Sequence, residues 1–325
     1  MLDYYDRYER RAPRAREAAL LRDMRAILGV AKPRAASLRL QLKGIDIDQL
    51  KTRADLARIP VLRKAELIRR QKEAPPFGGA SATRPAALQH LLMSPDRGFQ
   101  FAGHAKDWWN AGRALFAAGI RKGDIVLNCF PYHFVPEGHM MDCGLRALGC
   151  PIIAAGNGDV DATLAVIDHF GPVAYCGPAD FLAALRVKTA KDKSRLAAIK
   201  RAFLGATLLA SAAATGDVSA HEIEAFEAYV TPDLGVVAYQ SASGGALIVN
   251  EGLIVEIVRP GTDEPLPPGE TGEIVVTRLN ADYPLLRFAT GDLSAIVAGQ
   301  SPCGRTNMRV RPPIAAPATA RQTKT

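Results

Sequence analysis

Apolar positions change their period along this chain, and each change marks a different kind of structure. Between residues 87 and 186, windows with apolar residues three and four apart alternate with short unbroken apolar runs. FAGHAKDWWNAGRALFAAGI (101–120) reads as a helix, and GDIVLNCF (123–130) as a strand opened by a Gly-Asp turn. HMMDCGLRALG (139–149) follows as a helix closed by Gly149, then CPIIAAG (150–156) as a strand. VDATLAVIDHF (160–170) is a helix ended by Gly171 and Pro172, followed by the strand PVAYCG and the helix PADFLAALRV, with Pro178 near its start. Such alternation with short connections predicts a parallel sheet covered by helices. Ligands of such sheets sit beyond the carboxyl ends of the strands.

From residue 234 the period falls to two. LGVVAYQS, ALIVNEGLIVEIV and GEIVVTRL are expected as strands, separated by SGG and by the turn-rich PGTDEPLPPGETGE. They predict an antiparallel meander or small distorted barrel beside the α/β layer. The expected fold class is therefore α/β, one large domain with parallel strands flanked by helices plus this antiparallel part. Its expected divisions are 1–233, a helical N-terminal segment and α/β core, and 234–310, the antiparallel subdomain. Residues 1 to about 72 read as helices with polar faces, ending in ARIPVLRKAELIRRQ, where Pro60 stops a helix and Val61-Leu62 re-enter the core. EAPPFGGASATRPA (73–86) reads as loop. After CGRTNMRV the tail RPPIAAPATARQTKT (311–325) lacks aromatics and periodicity and reads as disordered.

One stretch combines both kinds of position. In YPLLRFATGDLSAI (283–296), Leu286 inward, Arg287 outward and Phe288 inward suit a short strand, and Thr290-Gly291-Asp292 suits the turn that ends it. An aspartate there can turn two acceptor oxygens toward sugar hydroxyls, or simply cap its own backbone.

Composition narrows the classes. The chain has 325 residues, 48% hydrophobic and 23% charged, which is ordinary for a globular protein. No apolar run of about 18 residues exists to span a membrane, and MLDYYDRYERRAPRAREAALL is charged from its third residue, unlike a secretory signal. A cytoplasmic protein is expected. Cys129, Cys143, Cys150, Cys176 and Cys303 show no CxxC and no histidine at ligand spacing, so buried free thiols are expected rather than a metal site. The net charge of +8 owes part of its excess to the arginine-rich first forty residues, read as a helix with a solvated basic side; it suits anionic small ligands. The arginines are not interleaved with aromatics as in a nucleic-acid module, so no nucleic-acid partner is expected.

PLPPGETGEIVVTRLNADYPLLRFATGDLSAI, together with AYVTPDLGVVAYQS, GGALIVNEGLIVEIV and the late CGRTNMR, resembles the adenylate-forming enzymes, in particular their phenylacetate-CoA ligase branch. YYDRYERR, ARIPVLRKAEL and GDIVLNCFPYHFVPEGHMMDCGLRALGCPIIAAG extend the resemblance over most of residues 1 to 310. It implies activation of a carboxylic acid by ATP to an acyl-adenylate, then transfer to CoA, with Mg on the phosphates. On the matching positions, Asp292 would accept from the ribose hydroxyls, Tyr229 would lie against adenine, and Asp233 would stand as the acid near magnesium and phosphates. Arg287 would orient Asp292 or meet a phosphate. Leu204-Gly205 would face the adenine, and Tyr132, His133 and Pro136 would wall the acyl pocket. The implied partners are the acid, the nucleotide and CoA; self-association as a homodimer is left open.

Three stretches depart from that pattern. Where the family has a hydroxyl-rich phosphate loop ending in lysine, this chain has LLMSPDRGFQFAGH: Ser94, Arg97 and Gly98 are present, Arg97 substitutes in part, and Asp96 repels phosphate. FLGATLLASAAATGDVSAHEIEAFEAY is alanine-rich where the family carries a Gly-Gly-acid signature. The family's small C-terminal domain, with its catalytic lysine, is expected to be missing after CGRTNMR. Two functions are compatible with this pattern: a phenylacetate-type ligase of impaired turnover, or a non-catalytic protein that keeps a nucleotide or aryl-acid pocket.

Overall fold

The computed structural model describes residues 3–206, 223–241 and 245–315. They form two compact units that do not follow chain order: Ala105–Asn250 with the residues up to Tyr5, and Asp6–His104 with Glu251 onward.

The first unit is the α/β layer. Its strands run in the order Leu247–Val249, Gly235–Tyr239, Glu224–Thr231, Arg201–Ala206, Ala174–Cys176, Val126–Asn128, Ile152–Ala154. From Glu224–Thr231 to Ile152–Ala154 all neighbours are parallel, as the helix–strand alternation predicts; the first two strands are antiparallel additions. Alternating strand residues face opposite layers. Leu127 and Cys129 pack with Leu164, Ile167, Leu182 and Leu185 of the helices Val160–Phe170 and Ala179–Lys188. Asn128, between them, reaches Gly138 and Asp142 of the helix Glu137–Leu148 on the other face. Local chemistry sets the helix ends. The Asp159 carboxylate accepts from the Ala162 amide, and Gly149 and Gly171 close their helices in left-handed conformations.

Two expectations are corrected here. Residues 101–120 are not one helix. Phe99–Ala102 is a strand of the second unit, paired with His90–Met93, and the helix covers only Ala111–Ala117. The Asp107 carboxylate starts that helix by accepting from the amides of Ala111 and Gly112. ALIVNEGLIVEIV is also not one strand. It breaks at Asn250–Gly252, where Gly252 has φ +77°, so Leu247–Val249 stays in the first unit and Leu253–Val258 enters the second.

The second unit holds a five-stranded sheet. Leu285–Ser294 lies between Leu62–Arg63, parallel to it, and Gly272–Arg278, antiparallel; Leu253–Val258 pairs outside Gly272–Arg278. Leu20, Leu21, Met24 and Leu28 of the helix Pro13–Ala31 form the core with Leu38, Leu50, Leu56, Ile254 and Leu286. The tail also forms structure. Ile314–Ala315 pairs with Asp292 and Leu293, so the expected disorder does not hold for 311–315; residues 316–325 lie outside the described residues.

The arginine-rich opening is less solvated than expected. Arg16 is 7% exposed and bonds Glu251 at 2.9 Å, the Tyr8 carbonyl, and Thr306 and Asn307 of CGRTNMR. Beside it the fully buried Glu9 pairs with Arg305 at 2.9 Å. These charges are paired and multiply hydrogen-bonded, the condition under which burial is tolerated.

Candidate functional site

In the second unit, Thr290-Gly291-Asp292 does not end a strand; it is a bulge inside one of ten residues. Glu273 pairs with Leu293 and Val275 with Ala289, so the Leu285–Ser294 strand carries two surplus residues across the TGD segment. One more surplus residue lies between Leu285 and Phe288, opposite Arg278 and Val276. The residues in positive φ are Gly291 at +79° and Arg287 at +45°. Bulges re-aim side chains that a regular pleat would fix. The Asp292 amide donates to the Thr290 hydroxyl at 3.2 Å, and that hydroxyl donates to the Ile274 carbonyl at 3.1 Å. The Asp292 residue is 5% exposed.

Arg287 corrects an expectation. It faces inward and is completely buried. Its Nε donates to Glu256 at 3.0 Å, Nη1 to the carbonyls of Ala57 and Ile59, and Nη2 to the Asp263 carbonyl. The positive φ at the bulge turns the side chain inward, and Glu256 gives it a counter-charge. Burial pushes the Glu256 carboxyl up, against the pull of Arg287. The guanidinium thus fastens the segment before Leu62–Arg63 and the turn at Asp263 to the TGD strand.

Leu62 and Arg63 pair in parallel with Phe288 and Ala289, and the next residue, Lys64, opens the helix Lys64–Glu73. Arg63 lies 3.7 Å from both Asp263 and Glu273. Burial raises the Glu273 carboxyl, Arg63 opposes this, and the Asp292 charge adds to it. The expected phosphate stretch is the tip of the hairpin His90–Met93/Phe99–Ala102, closed by the Ser94 amide donating to Gly98 at 2.8 Å. Arg97 sits at this tip, exposed, with φ +62°. Asp96 is bonded by the Ser94 hydroxyl and by the Lys64 ammonium at 2.6 Å.

In the first unit the other candidates share one edge, the carboxyl end of the parallel strands. Tyr229 lies in the strand Glu224–Thr231 and Asp233 in the turn that joins it to Gly235–Tyr239, and Ala206, next to Gly205, pairs with Tyr229. Tyr229 is fully buried and Asp233 is 3% exposed. An adenine could therefore reach the Tyr229 ring only after neighbouring chain moved aside. Of the alanine-rich departure, 203–229, residues 207–222 lie outside the described residues. Tyr132 and His133 stand in the connection after Val126–Asn128. His133 is exposed, whereas the Tyr132 hydroxyl donates to Asp142 at 2.7 Å and accepts from Asn128 at 2.7 Å. Burial foremost, with Asp142 beside it, raises that hydroxyl far above the tyrosine range. It works as an anchor, not an acid, and leaves the ring as wall. A side chain at Gly138 would meet the Pro131 carbonyl at 2.7 Å and the Tyr132 ring at 2.8 Å, so glycine is needed there.

Sequence reasoning missed Asn128, Asp142, Lys64, Glu256 and Glu273. Two signals were available: a lone glutamate inside the apolar run LIVEIV, and Pro-Asp-Arg-Gly between LLM and FQF, which marks a hairpin.

No family model matches the chain. Among curated proteins it is 28% identical over 284 residues to the phenylacetate-coenzyme A ligase of Thermus thermophilus, covering 83% of this chain and 62% of that protein. It is 26% identical over 269 residues to the phenylacetate-coenzyme A ligase of Aromatoleum evansii, covering 78% and 60%. The chain thus spans about three-fifths of the length of the relatives it matches. Among solved structures, 2-hydroxyisobutyryl-CoA ligase in an open conformation, in complex with 2-HIB-AMP and CoA, superimposes with a TM-score of 0.85 at 22% identity, over 94% of this chain and 75% of that one. In sequence the chain is similar to phenylacetate-coenzyme A ligases, at 24–28% identity, and it shares the fold of 2-hydroxyisobutyryl-CoA ligase.

Proposed function

We propose that this chain binds an adenine nucleotide and carries the acid-activating part of an acyl-CoA ligase for a phenylacetate-type acid. The observation that supports this most is the 284-residue likeness to a phenylacetate-coenzyme A ligase. In the first step a carboxylate oxygen of the acid attacks the α-phosphorus of ATP and pyrophosphate leaves, giving the acyl-adenylate. In the second, the CoA sulfur attacks the acyl carbon, the thiol proton passes to solvent, and AMP leaves. In the second unit Asp292 accepts from the ribose hydroxyls; in the first, the Tyr132 ring lines the acid pocket beside His133. Among the described residues no group of three or more His, Cys, Asp or Glu is arranged for a metal. Mg2+ would be carried on the nucleotide phosphates, with Asp233 supplying a carboxylate ligand.

A second reading, nucleotide binding without turnover, is favoured by the hairpin tip, which presents Asp96 where phosphate would approach. Calorimetric titration with AMP, ATP and phenylacetate tests the first step common to both. AMP binding that falls about tenfold or more in Asp292→Ala, at unchanged thermal midpoint, supports the ribose contact; equal binding in both proteins removes it. Pyrophosphate release dependent on phenylacetate then separates a ligase from a binder.

A further inference from the structure

The tip of the hairpin has no lysine of its own, yet the fold brings one to it. Leu62–Arg63 pairs in parallel with Phe288–Ala289; Lys64, the first residue of the helix Lys64–Glu73, comes directly after one strand of that pair, and Thr290, the opening of the TGD bulge, directly after the other. Neighbouring strands lie about 4.8 Å apart, and the flexible four-carbon stem of lysine lets its ammonium reach well beyond its own backbone. It reaches Asp96, at 2.6 Å. We propose that Lys64 is the cation that meets the phosphates of the nucleotide whose ribose Asp292 holds, with Asp96 engaging its ammonium until the nucleotide arrives. The proposal rests on the nucleotide-binding reading of the TGD bulge.

The neighbouring cations are less able to do this. Arg287 is buried and bonded to Glu256 and three carbonyls. Arg63 donates to the Thr262 carbonyl at 2.8 Å and lies between Asp263 and Glu273. Lys64 is partly exposed, and so is the Asp96 carboxylate. Pairs of this kind hold weakly, while a charge-assisted bond to phosphate is stronger, so exchange of one for the other is favourable. Asp96 stays in place when Lys64 leaves, because the Ser94 hydroxyl and the Gly98 amide also donate to it. Its carboxyl lies below the usual range, against burial, because Lys64 and Ser94 donate to it; it is therefore charged near neutrality and repels an incoming phosphate. The device sets a preference for nucleotides carrying several phosphates.

The test titrates adenosine and ATP, both without added metal, into wild type, Lys64→Met, Lys64→Arg, Asp96→Asn and Asp292→Ala, each with its thermal midpoint. Lys64→Met is expected to weaken ATP about tenfold or more and to leave adenosine unchanged; Lys64→Arg keeps ATP binding, and Asp96→Asn strengthens it. Equal ATP affinity in wild type and Lys64→Met overturns the proposal, as does an equal loss of adenosine, which would mark Lys64 as merely structural. Asp292→Ala reports on the underlying reading: adenosine lost there, with ATP indifferent to Lys64, refutes this inference alone. A folded wild type that binds neither compound refutes both.

Discussion

The two units load their candidate residues on different supports. In the first, a parallel sheet lifts residues to one edge: Tyr132, Gly205, Tyr229 and Asp233 all lie at or after the carboxyl ends of strands, with one register shift, between Tyr229 and Val230, in the antiparallel hairpin that carries Asp233. In the second, Asp292 lies within a strand paired on both sides, and two bulges break the register and re-aim the side chains beyond them. A parallel sheet exposes its loops for free use. An antiparallel strand must be distorted, and something has to hold the distortion. Here that is Arg287, a non-glycine residue at φ +45° in the core.

Breaking that holder should have the largest effect. Arg287→Ala leaves Glu256 buried without its counter-charge and removes the donor to three carbonyls, so a loss of about 3–5 kcal/mol is expected from urea midpoints. Arg287→Met with Glu256→Leu should regain much of it, since a well-packed apolar pair often matches a buried ion pair. If the single variant is as stable as wild type, the bulge holds itself. A middle effect is expected in the first unit. Gly235 has φ +82°, and a Cβ there would come 2.4 Å from the Trp109 carbonyl oxygen, so Gly235→Ala should cost about 1–3 kcal/mol by thermal or urea denaturation. A neutral result would show that the hairpin carrying Asp233 yields where the bulged strand does not.

The smallest effect concerns Glu273, which pairs with Leu293 beside Asp292. Its folded pKa is raised from the ordinary 4.5, by burial first. A raised group stabilises the fold fully below its unfolded value, and that contribution is lost as pH rises through the folded one. Glu273→Gln, neutral throughout, should therefore match wild type near pH 4 and exceed it slightly at pH 7. Thermal midpoints at the two pH values decide it; the opposite order would mean that Arg63 outweighs burial.

What could be read from the sequence tracked the range of the interactions involved. The elements from Val126 to Lys188 were legible because each is specified by its own period and its own caps, as with Asp159 and Gly171 around one helix. The glycine at 149 told where another ends. The TGD bulge was not legible as a bulge, because register is decided by the partner strand; the same alternation read Arg287 as outward when the true frame had slipped by one. Phe99–Ala102 was absorbed into a helix because Trp108 and Trp109 continue an apolar rhythm that the Asp107 cap interrupts. Asp292 was singled out by motif; Lys64, which follows the strand pair Leu62–Arg63 with Phe288–Ala289, has no local mark.

The division of the second unit bears on the order in which a growing chain can fold. Residues 105–250 of the first unit are contiguous and emerge together. Asp6–His104 must wait for Glu251 onward. Glu9 meets Arg305 across 296 residues, and Arg16 meets Asn307 across 291. Until those partners are synthesised, a helix rich in arginine and a set of apolar faces stay open, with the high contact order that slows folding and invites capture by chaperones. Synthesis halted between Glu251 and Arg305 would leave the second unit without the partners of its opening residues.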